Sequence, residues 1–273
     1  SAIISKIRFS LEWDIKTIKS IWNYSGWLMA SVIFRNFSQQ ADRLLMSKLL
    51  SVDVLGSYNR PKEFINQITS KINGIFDTAL FPVLSGIQDN LKSLRNALSK
   101  SVYLMNLFSS VLAVSFIFNA ELIIRIFFGT DWVHLTKLLQ LLSIVIVFNI
   151  DGRLADCYLR SLGLTRAQFY FRVIETIVKF SGVVIGAQYG IYGVSISVVL
   201  ANFMMIFIKL AYITNNIQYS YKNLFVNILK SWQSMFFIIP VCITSMLFLP
   251  HSLGSCIIQL VIFILTLLLV FLI

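Results

Sequence analysis

The stretch IWNYSGWLMASVIFRNFSQQADRLLMSKLLSVDVLGSYNRPKEFINQITSKINGIFDTALFPVL, residues 21–84, places charged side chains at helical spacing inside otherwise apolar segments. Arg35, Gln39 and Asp42 stand at i, i+4 and i+7, which is one face of a helix. A second such row consists of Glu63, Gln67, Ser70, Gly74 and Asp77. A charge at membrane depth costs about 2.5–3.5 kcal/mol even on the mildest scale, so it usually faces water or a partner. The two rows predict a water-filled path through a helical membrane protein.

The composition of the whole chain is that of a membrane protein. Hydrophobic residues make up 57% and charged residues 13%, and the mean hydropathy is +0.79. A soluble domain typically contains about 25% charged residues. Residues 253–273 carry no charge at all and are long enough to cross a bilayer as a helix.

The net charge of +11 does not indicate nucleic-acid binding. Such binding needs Lys and Arg on a solvated patch, whereas most of them here fall in short gaps between apolar runs. The cysteines and histidines do not indicate a metal either. Cys157, Cys242 and Cys256 form no C-x-x-C pair, and His134 and His251 are isolated. We therefore expect no nucleic-acid partner, metal or cofactor.

Apolar periodicity predicts an all-α, polytopic integral membrane bundle. Eight spanning helices are predicted at 19–49, 54–84, 102–119, 136–162, 167–188, 191–214, 231–249 and 253–273. Residues 1–18 are predicted to form an amphipathic segment on the cytoplasmic membrane face. Residues 19–214 would form a six-helix unit, 215–230 a cytoplasmic connector, and 231–273 two additional helices. Because the chain starts at Ser1 and ends in an apolar run, we expect a part of a longer protein.

The gaps between the predicted helices alternate in charge. Lys and Arg concentrate in the gaps 1–20, 85–101, 160–172 and 209–230, whereas 50–57, 187–193 and 250–254 contain none and 119–137 contains only Arg125 and Lys137. By the positive-inside rule, this pattern predicts a cytoplasmic N-terminus for this chain. The gaps are also too short for a soluble catalytic domain, and no P-loop occurs, so we expect no enzymatic activity.

Two further helices carry charged faces whose role stays open at this point. The fourth presents Asn149, Arg153, Asp156 and Arg160, and the fifth presents Arg172, Glu175 and Lys179. They could form internal ion pairs, for which Arg153–Asp156, Glu175–Lys179 and Asp42–Arg43 are near enough in sequence. They could instead line a cavity that binds a polar head group.

The long rows of the first two helices favour a cavity of mixed sign. The candidates for a substrate cavity are Arg35, Gln39, Asp42, Arg43, Arg60, Glu63, Gln67, Lys71, Asp77, Arg153 and Asp156. The candidates for carrying a coupling proton are Asp42, Glu63, Asp77 and Glu175.

Four segments resemble the polysaccharide-unit flippases, the O-antigen, capsule and exopolysaccharide translocases of the multidrug/oligosaccharidyl-lipid/polysaccharide exporter superfamily. The first is ADRLLMSKLLSVDVLGSYNRPKEFINQITSKINGIFDTALFPVLSGIQDNLKSLRNAL at 41–98. The others are FFGTDWVHLTKLLQLLSI at 127–144, YLRSLGLTRAQFYFRVI at 158–174 and YGIYGVSISVVLANF at 189–203. The chain departs from the family pattern at Pro61, which could kink the second helix or mark its start.

The resemblance implies two six-helix lobes in the full-length protein, of which this chain would be the second lobe plus two helices. It implies alternating access by a multi-pass protein of the bacterial plasma membrane, with a lipid-linked oligosaccharide as substrate. The first lobe, the bilayer, a polysaccharide polymerase and glycosyltransferases would be its partners. Arg35, Arg43 and Arg60 would contact a pyrophosphate or acidic sugars. Asp42, Glu63 and Asp77 would bind sugar hydroxyls or carry a proton.

Three alternatives stay open from the sequence. The protein could be another exporter of the superfamily, for drugs or for peptidoglycan precursors. It could be part of a membrane glycosyltransferase or polymerase, although the short outer gaps leave little room for a catalytic loop. It could also be a structural subunit that transports nothing itself.

Overall fold

The computed structural model of the protein describes residues 15–49, 52–233 and 239–240. Within these ranges the chain is helical and forms no strand, which confirms the all-α class. The helices are α1 (Ile15–Leu49), α2 (Val52–Gly86), α3 (Leu91–Phe118), α4 (Ala120–Phe127), α5 (Thr136–Ser143), α6 (Val145–Ser161), α7 (Thr165–Ala187), α8 (Gly190–Asn216) and α9 (Tyr221–Trp232), with a 3-10 turn at Thr130–Leu135 before α5.

Several of these helices are long enough to cross a bilayer. Three stretches of the described chain are also sufficiently apolar, namely Leu91–Phe118, Thr130–Ser161 and Gly190–Asn216. Helices α1 and α2 have 35 residues each and exceed the roughly 20 needed for a span, but polar residues dilute their hydropathy. The protein is therefore a multi-pass membrane protein.

The predicted helix boundaries need three corrections. Helix α3 begins at Leu91, where Asn90 caps it by accepting a hydrogen bond from the Ser93 amide at 3.1 Å, so most of the predicted gap 85–101 is helical. The predicted span 136–162 is interrupted at Ile144, between α5 and α6. Helix α9 occupies much of the predicted connector. The predicted segment 1–18 and the spans 231–249 and 253–273 lie almost wholly outside the described residues.

Helix α6 occupies the centre of the bundle. It packs against α2, α3 and α8, while α7 packs against α8 and α1. Its buried stripe includes Ile146, Ile150, Leu154 and Tyr158, which recur at helical spacing. Helices α1 and α2 contact each other little, so they stand on either side of α6, α7 and α8. This arrangement leaves a space between α1 and α2.

The tightest helix contact, between α7 and α8, depends on glycine. A Cβ atom on Gly186 would lie 2.6 Å from the carbonyl oxygen of Gly193, and one on Gly182 would lie 3.3 Å from the Ser197 Cβ. Small residues at these positions let the two backbones approach closely, which is how helices associate in lipid.

We expect Gly186→Ala to destabilise the protein by about 1–3 kcal/mol, because the added methyl overpacks a contact made by backbone atoms. Thermal unfolding of the purified full-length protein in detergent measures this. Gly74→Ala is the matched control, since no atom lies within 4 Å of a Cβ built there. Equal melting temperatures for the two variants would show that the α7–α8 contact does not need a glycine.

Candidate functional site

The space between α1 and α2 is a polar cavity of about 480 Å³. Helices α6, α7 and α8 close it from behind. Among the described residues, six cations and three carboxylates line it: Arg35, Lys62, Arg153, Arg172, Lys179 and Lys209 against Glu63, Asp156 and Glu175. Side-chain amides line it as well, from Gln39, Asn59, Asn66, Gln67, Asn73, Asn149 and Asn202. The cavity can thus offer positive charge together with many hydrogen-bonding groups.

A network of ion pairs joins α6, α7 and α8 at the back of the cavity. Asp156 on α6 pairs with Arg172 on α7, and its other oxygen lies 3.3 Å from Lys209 Nζ on α8. Glu175 lies 2.7 Å from Lys179, 2.9 Å from Lys209 and 3.4 Å from Arg172. The side chains of Asp156 and Lys209 are only 3% and 4% exposed. Both carboxylates are therefore neutralised within the protein.

The sequence-based pairs are only partly correct. The Glu175–Lys179 ion pair is confirmed. Arg153 and Asp156, which are near enough in sequence to pair, do not pair with each other, because Arg153 reaches across to Asp77 on α2, at 2.6 Å. The pair Asp42–Arg43 lies outside the residues whose side chains are described.

Asp77 holds α2 against α6 through two arginines, Arg153 and Arg160, and we call these three residues the clamp. Its two carboxylate oxygens accept hydrogen bonds from Arg153 Nε at 2.7 Å and from Arg160 Nη2 at 2.8 Å. The Asp77 side chain is 16% exposed, and the arginines stand about two helical turns apart on α6. Such charge-assisted contacts on both oxygens fix the register of α2 on α6.

We expect Asp77→Asn to destabilise the protein by about 1–3 kcal/mol, since two charge-assisted contacts between α2 and α6 are lost. Glu121→Gln is the control. Its ion pair with Arg125 lies within one helix at 2.6 Å with both side chains more than 40% exposed, so its loss is expected to cost under about 0.5 kcal/mol. Chemical denaturation of the two purified variants compares them. A smaller cost for Asp77→Asn than for the control would contradict the clamp.

Helix α1 is attached to α7 and contributes Arg35 to the cavity. The hydroxyls of Ser38 and Thr176 are hydrogen bonded at 2.8 Å, and Trp27 contacts Phe169 with ring centroids 5.5 Å apart. Arg35 shares the cavity lining with two further arginines and a carboxylate: Arg153, Arg172 and Asp156. No ion pair joins its guanidinium to the described part of the chain. Arg35 thus adds positive charge to a region that is already basic.

The cavity brings together some of the predicted site residues and leaves others apart. The predicted residues that line it are Arg35, Gln39, Glu63, Gln67, Arg153, Asp156 and Glu175. Arg60 instead stacks on Trp132, 4.0 Å from the ring centroid, and Lys71 is exposed on α2 away from the cavity. Asp77 does not line the cavity but belongs to the clamp between α2 and α6. The side chains of Asp42 and Arg43 are outside the described set.

Among the described residues, the cavity is more basic than the mixed sign that the sequence predicts, because Asp77 belongs to the clamp and does not line it. Another carboxylate of α6, Asp151, is buried on the α3 side, 3.1 Å from the Asn106 amide nitrogen. Lys209 is the main residue that sequence reasoning missed as a cavity residue. The charge pattern of the sequence places it in a cytoplasmic gap, but it lies within α8 and is buried. A lone lysine in the apolar run NFMMIFIKLAYIT could have revealed it, because an isolated charge inside a span needs a partner.

Comparison with known proteins gives a consistent result. Residues 1–137 match a family described as "Polysaccharide biosynthesis protein". The chain is 24% identical over 194 residues to the lipopolysaccharide biosynthesis protein WzxC of Escherichia coli (strain K12), covering 71% of this chain and 39% of the relative. It is 23% identical over 171 residues to the amylovoran biosynthesis protein AmsL of Erwinia amylovora, covering 63% and 44%.

A third relative, a putative O-antigen transporter of Shigella flexneri, is 25% identical over 184 residues, covering 67% of this chain and 44% of that protein. The chain thus spans less than half the length of these three relatives. No solved structure matches it significantly. The family match extends over half of the chain and agrees with the predicted resemblance, so the chain belongs to the polysaccharide biosynthesis protein family.

Proposed function

We propose that the full-length protein flips a polyprenyl-pyrophosphate-linked oligosaccharide across the bacterial plasma membrane by alternating access. This chain would supply the second of two lobes, with α1 and α2 facing the first lobe. The observation that carries the proposal is the basic, amide-rich cavity between α1 and α2, inside a multi-pass bundle. One of the relatives is named as a putative O-antigen transporter, and this name supports a cargo of the same class.

The cavity chemistry fits a head group that is anionic and rich in hydroxyls. Guanidinium groups bind pyrophosphate oxygens two at a time, which suits Arg35. The lining amides can both donate to and accept from sugar hydroxyls. The polyprenyl tail would stay in the bilayer, since it gains nothing by entering a polar cavity. Asp156 and Glu175 would keep the basic groups in place, so that the surplus positive charge faces the cargo.

Coupling to a proton remains a proposal for the carboxylates. Glu175 is held by three cations, and Asp77 by two. Protonating either one would release cations that hold helices together, so proton uptake would be linked to a change in helix packing. Glu63 lines the cavity and stays a candidate for carrying the proton.

We propose that the N-terminus of this chain lies in the cytoplasm, and this orientation rests on the cations at the ends of the helices. Arg160, Arg172 and Lys209 no longer count as loop charges, because they form internal ion pairs. The cations at the ends of the helices are still unevenly divided. Lys92, Arg95, Lys100, Arg166, Lys222 and Lys230 lie toward one end, against Lys48, Arg125 and Lys137 toward the other. Arg95 Nε donates to the Ile217 carbonyl at 2.8 Å, which joins the start of α3 to the end of α8 at that basic end.

Deleting the gene in its native bacterium, and restoring it on a plasmid, tests the proposal. We expect deletion to remove the surface polymer and to leave lipid-linked units accessible only from the cytoplasmic face. A polymerase defect would instead leave single units on the outer surface, and a drug exporter defect would change drug sensitivity with the polymer intact. Either of those results would overturn the flippase assignment.

A further inference from the structure

Helix α9 carries an apolar face that the described bundle leaves uncovered. At about 100° per residue, its outward aromatic and aliphatic side chains fall within one arc of about 80°. They are Tyr221, Phe225, Leu229 and Trp232, and their exposed fractions lie between 42% and 56%. The adjoining arc is buried, through Leu224 and Ile228. The apolar surface of α9 is therefore about twice as wide as its contact with the bundle requires.

The position of α9 places this face at the level of a membrane surface. The helix follows α8, a candidate span, after a turn in which Gln218 has a positive φ of 52°. It packs along the first turns of α3, another candidate span, where Asn227 donates to the Ser99 hydroxyl at 2.7 Å. Two spans thus end or begin beside α9, so it lies where hydrocarbon meets water.

The charged residues of α9 are both lysines. Lys222 and Lys230 are exposed and lie on the side of the apolar arc that faces away from the bundle contact. Asn223 lies farther around the helix on the same side. The chain contains no Asp or Glu after Glu175, so no carboxylate on α9 opposes these lysines. A wide apolar arc bordered by lysines, with Tyr and Trp at its ends, is typical of a helix lying in the plane of an anionic membrane.

We propose that α9 is an in-plane membrane anchor whose outward face binds anionic phospholipid. Phe225 and Leu229 would enter the acyl boundary, while Lys222 and Lys230 contact lipid phosphates. The anchor would hold the ends of α3 and α8 at a fixed depth. This inference does not depend on which molecule the protein transports.

Spin labels on the full-length protein in nanodiscs test the anchor. Cys157, Cys242 and Cys256 are first replaced, together with any cysteine elsewhere in the full-length chain, and single cysteines are then introduced by Phe225→Cys and Leu229→Cys. We expect both labels to be accessible to oxygen and protected from a water-soluble relaxation agent. A label at Asn223, on the polar side of α9, is the matched control and should show the opposite.

Two results would overturn the anchor. Labels protected from both reagents would mean that another part of the protein or a second copy covers α9, and labels accessible to the aqueous agent would place it in water. The lipid preference is tested separately, with a fluorophore at position 225 quenched by brominated phosphatidylglycerol or phosphatidylcholine. We expect Lys222→Gln and Lys230→Gln each to lower the preference for phosphatidylglycerol about fivefold. An unchanged preference would refute the anionic part of the proposal.

Discussion

Replacing Asp156 by asparagine is expected to lower the free energy of unfolding by about 3–5 kcal/mol, the usual cost of breaking a buried ion pair from one side. Asp156 is the shared partner of Arg172 and Lys209, and its side chain is only 3% exposed. Without its charge, Glu175 alone must balance three cations in the network. Asparagine keeps the shape of the side chain, so the loss reports charge rather than packing.

A second substitution separates this explanation from a local packing defect. Lys209→Met in the Asp156→Asn background removes one of the two cations that Asp156 pairs with, and leaves Glu175 to balance only Arg172 and Lys179. We expect it to restore at least half of the lost stability. Replacing both members of a buried pair by neutral groups is often nearly neutral. Denaturant unfolding of the wild type, both single variants and the double variant gives the coupling energy directly. Asp131→Asn, at an exposed site, is the control and should change stability by less than about 0.5 kcal/mol.

If the double variant were less stable than Asp156→Asn alone, the two charges would not be compensating each other. The same result would mean that Lys209 acts mainly through its ion pair with Glu175. An unchanged stability in Asp156→Asn itself would show that water, rather than the protein, neutralises the network.

The sequence revealed which helices carry charge but not which helices pair. Glu175 and Lys179 are four residues apart on α7, so their pairing could be predicted from spacing alone. Arg153 and Asp156 have equally suitable spacing, yet each pairs with another helix. Their partners lie 76 and 16 positions away in the chain. Only the packing of α2, α7 and α8 around α6 decides between such options.

Lys209 shows how a correct rule can misplace a residue. Loop-charge counting assumes that cations near the end of a span are in water, and Lys209 lies seven residues before Asn216, the last residue of α8. In the structure it points into the bundle, where Asp156 and Glu175 accept its hydrogen bonds at 3.3 and 2.9 Å. The helices themselves were easier to predict, because apolar periodicity is local. The break between α5 and α6 at Ile144 cannot be predicted from the sequence, since no proline or glycine marks it.

Replacing Arg35 by glutamate is expected to lower transport by about 100-fold if the proposed function is correct. A charge-assisted contact contributes about 1.5–3 kcal/mol, or roughly 10- to 100-fold, and reversing the sign adds repulsion. Arg35 lines the cavity from α1 and forms no ion pair with the described residues. Its charge is therefore available to an anionic cargo, unlike those of Arg172 and Lys209, which the network holds. The measurement is the rate of surface polymer formation in a deletion strain that carries the variant gene.

Graded variants distinguish a cargo contact from a structural role. Arg35→Lys should retain part of the activity and Arg35→Gln less, because lysine keeps the charge but not the two-point geometry. Lys137→Glu, a charge reversal at an exposed site outside the cavity, should leave polymer formation unchanged. Protein level and melting temperature must stay normal in all variants. If Arg35→Glu then supported wild-type polymer formation, Arg35 would not contact the cargo. The excess of positive charge in the cavity would in that case serve the contact with the first lobe instead.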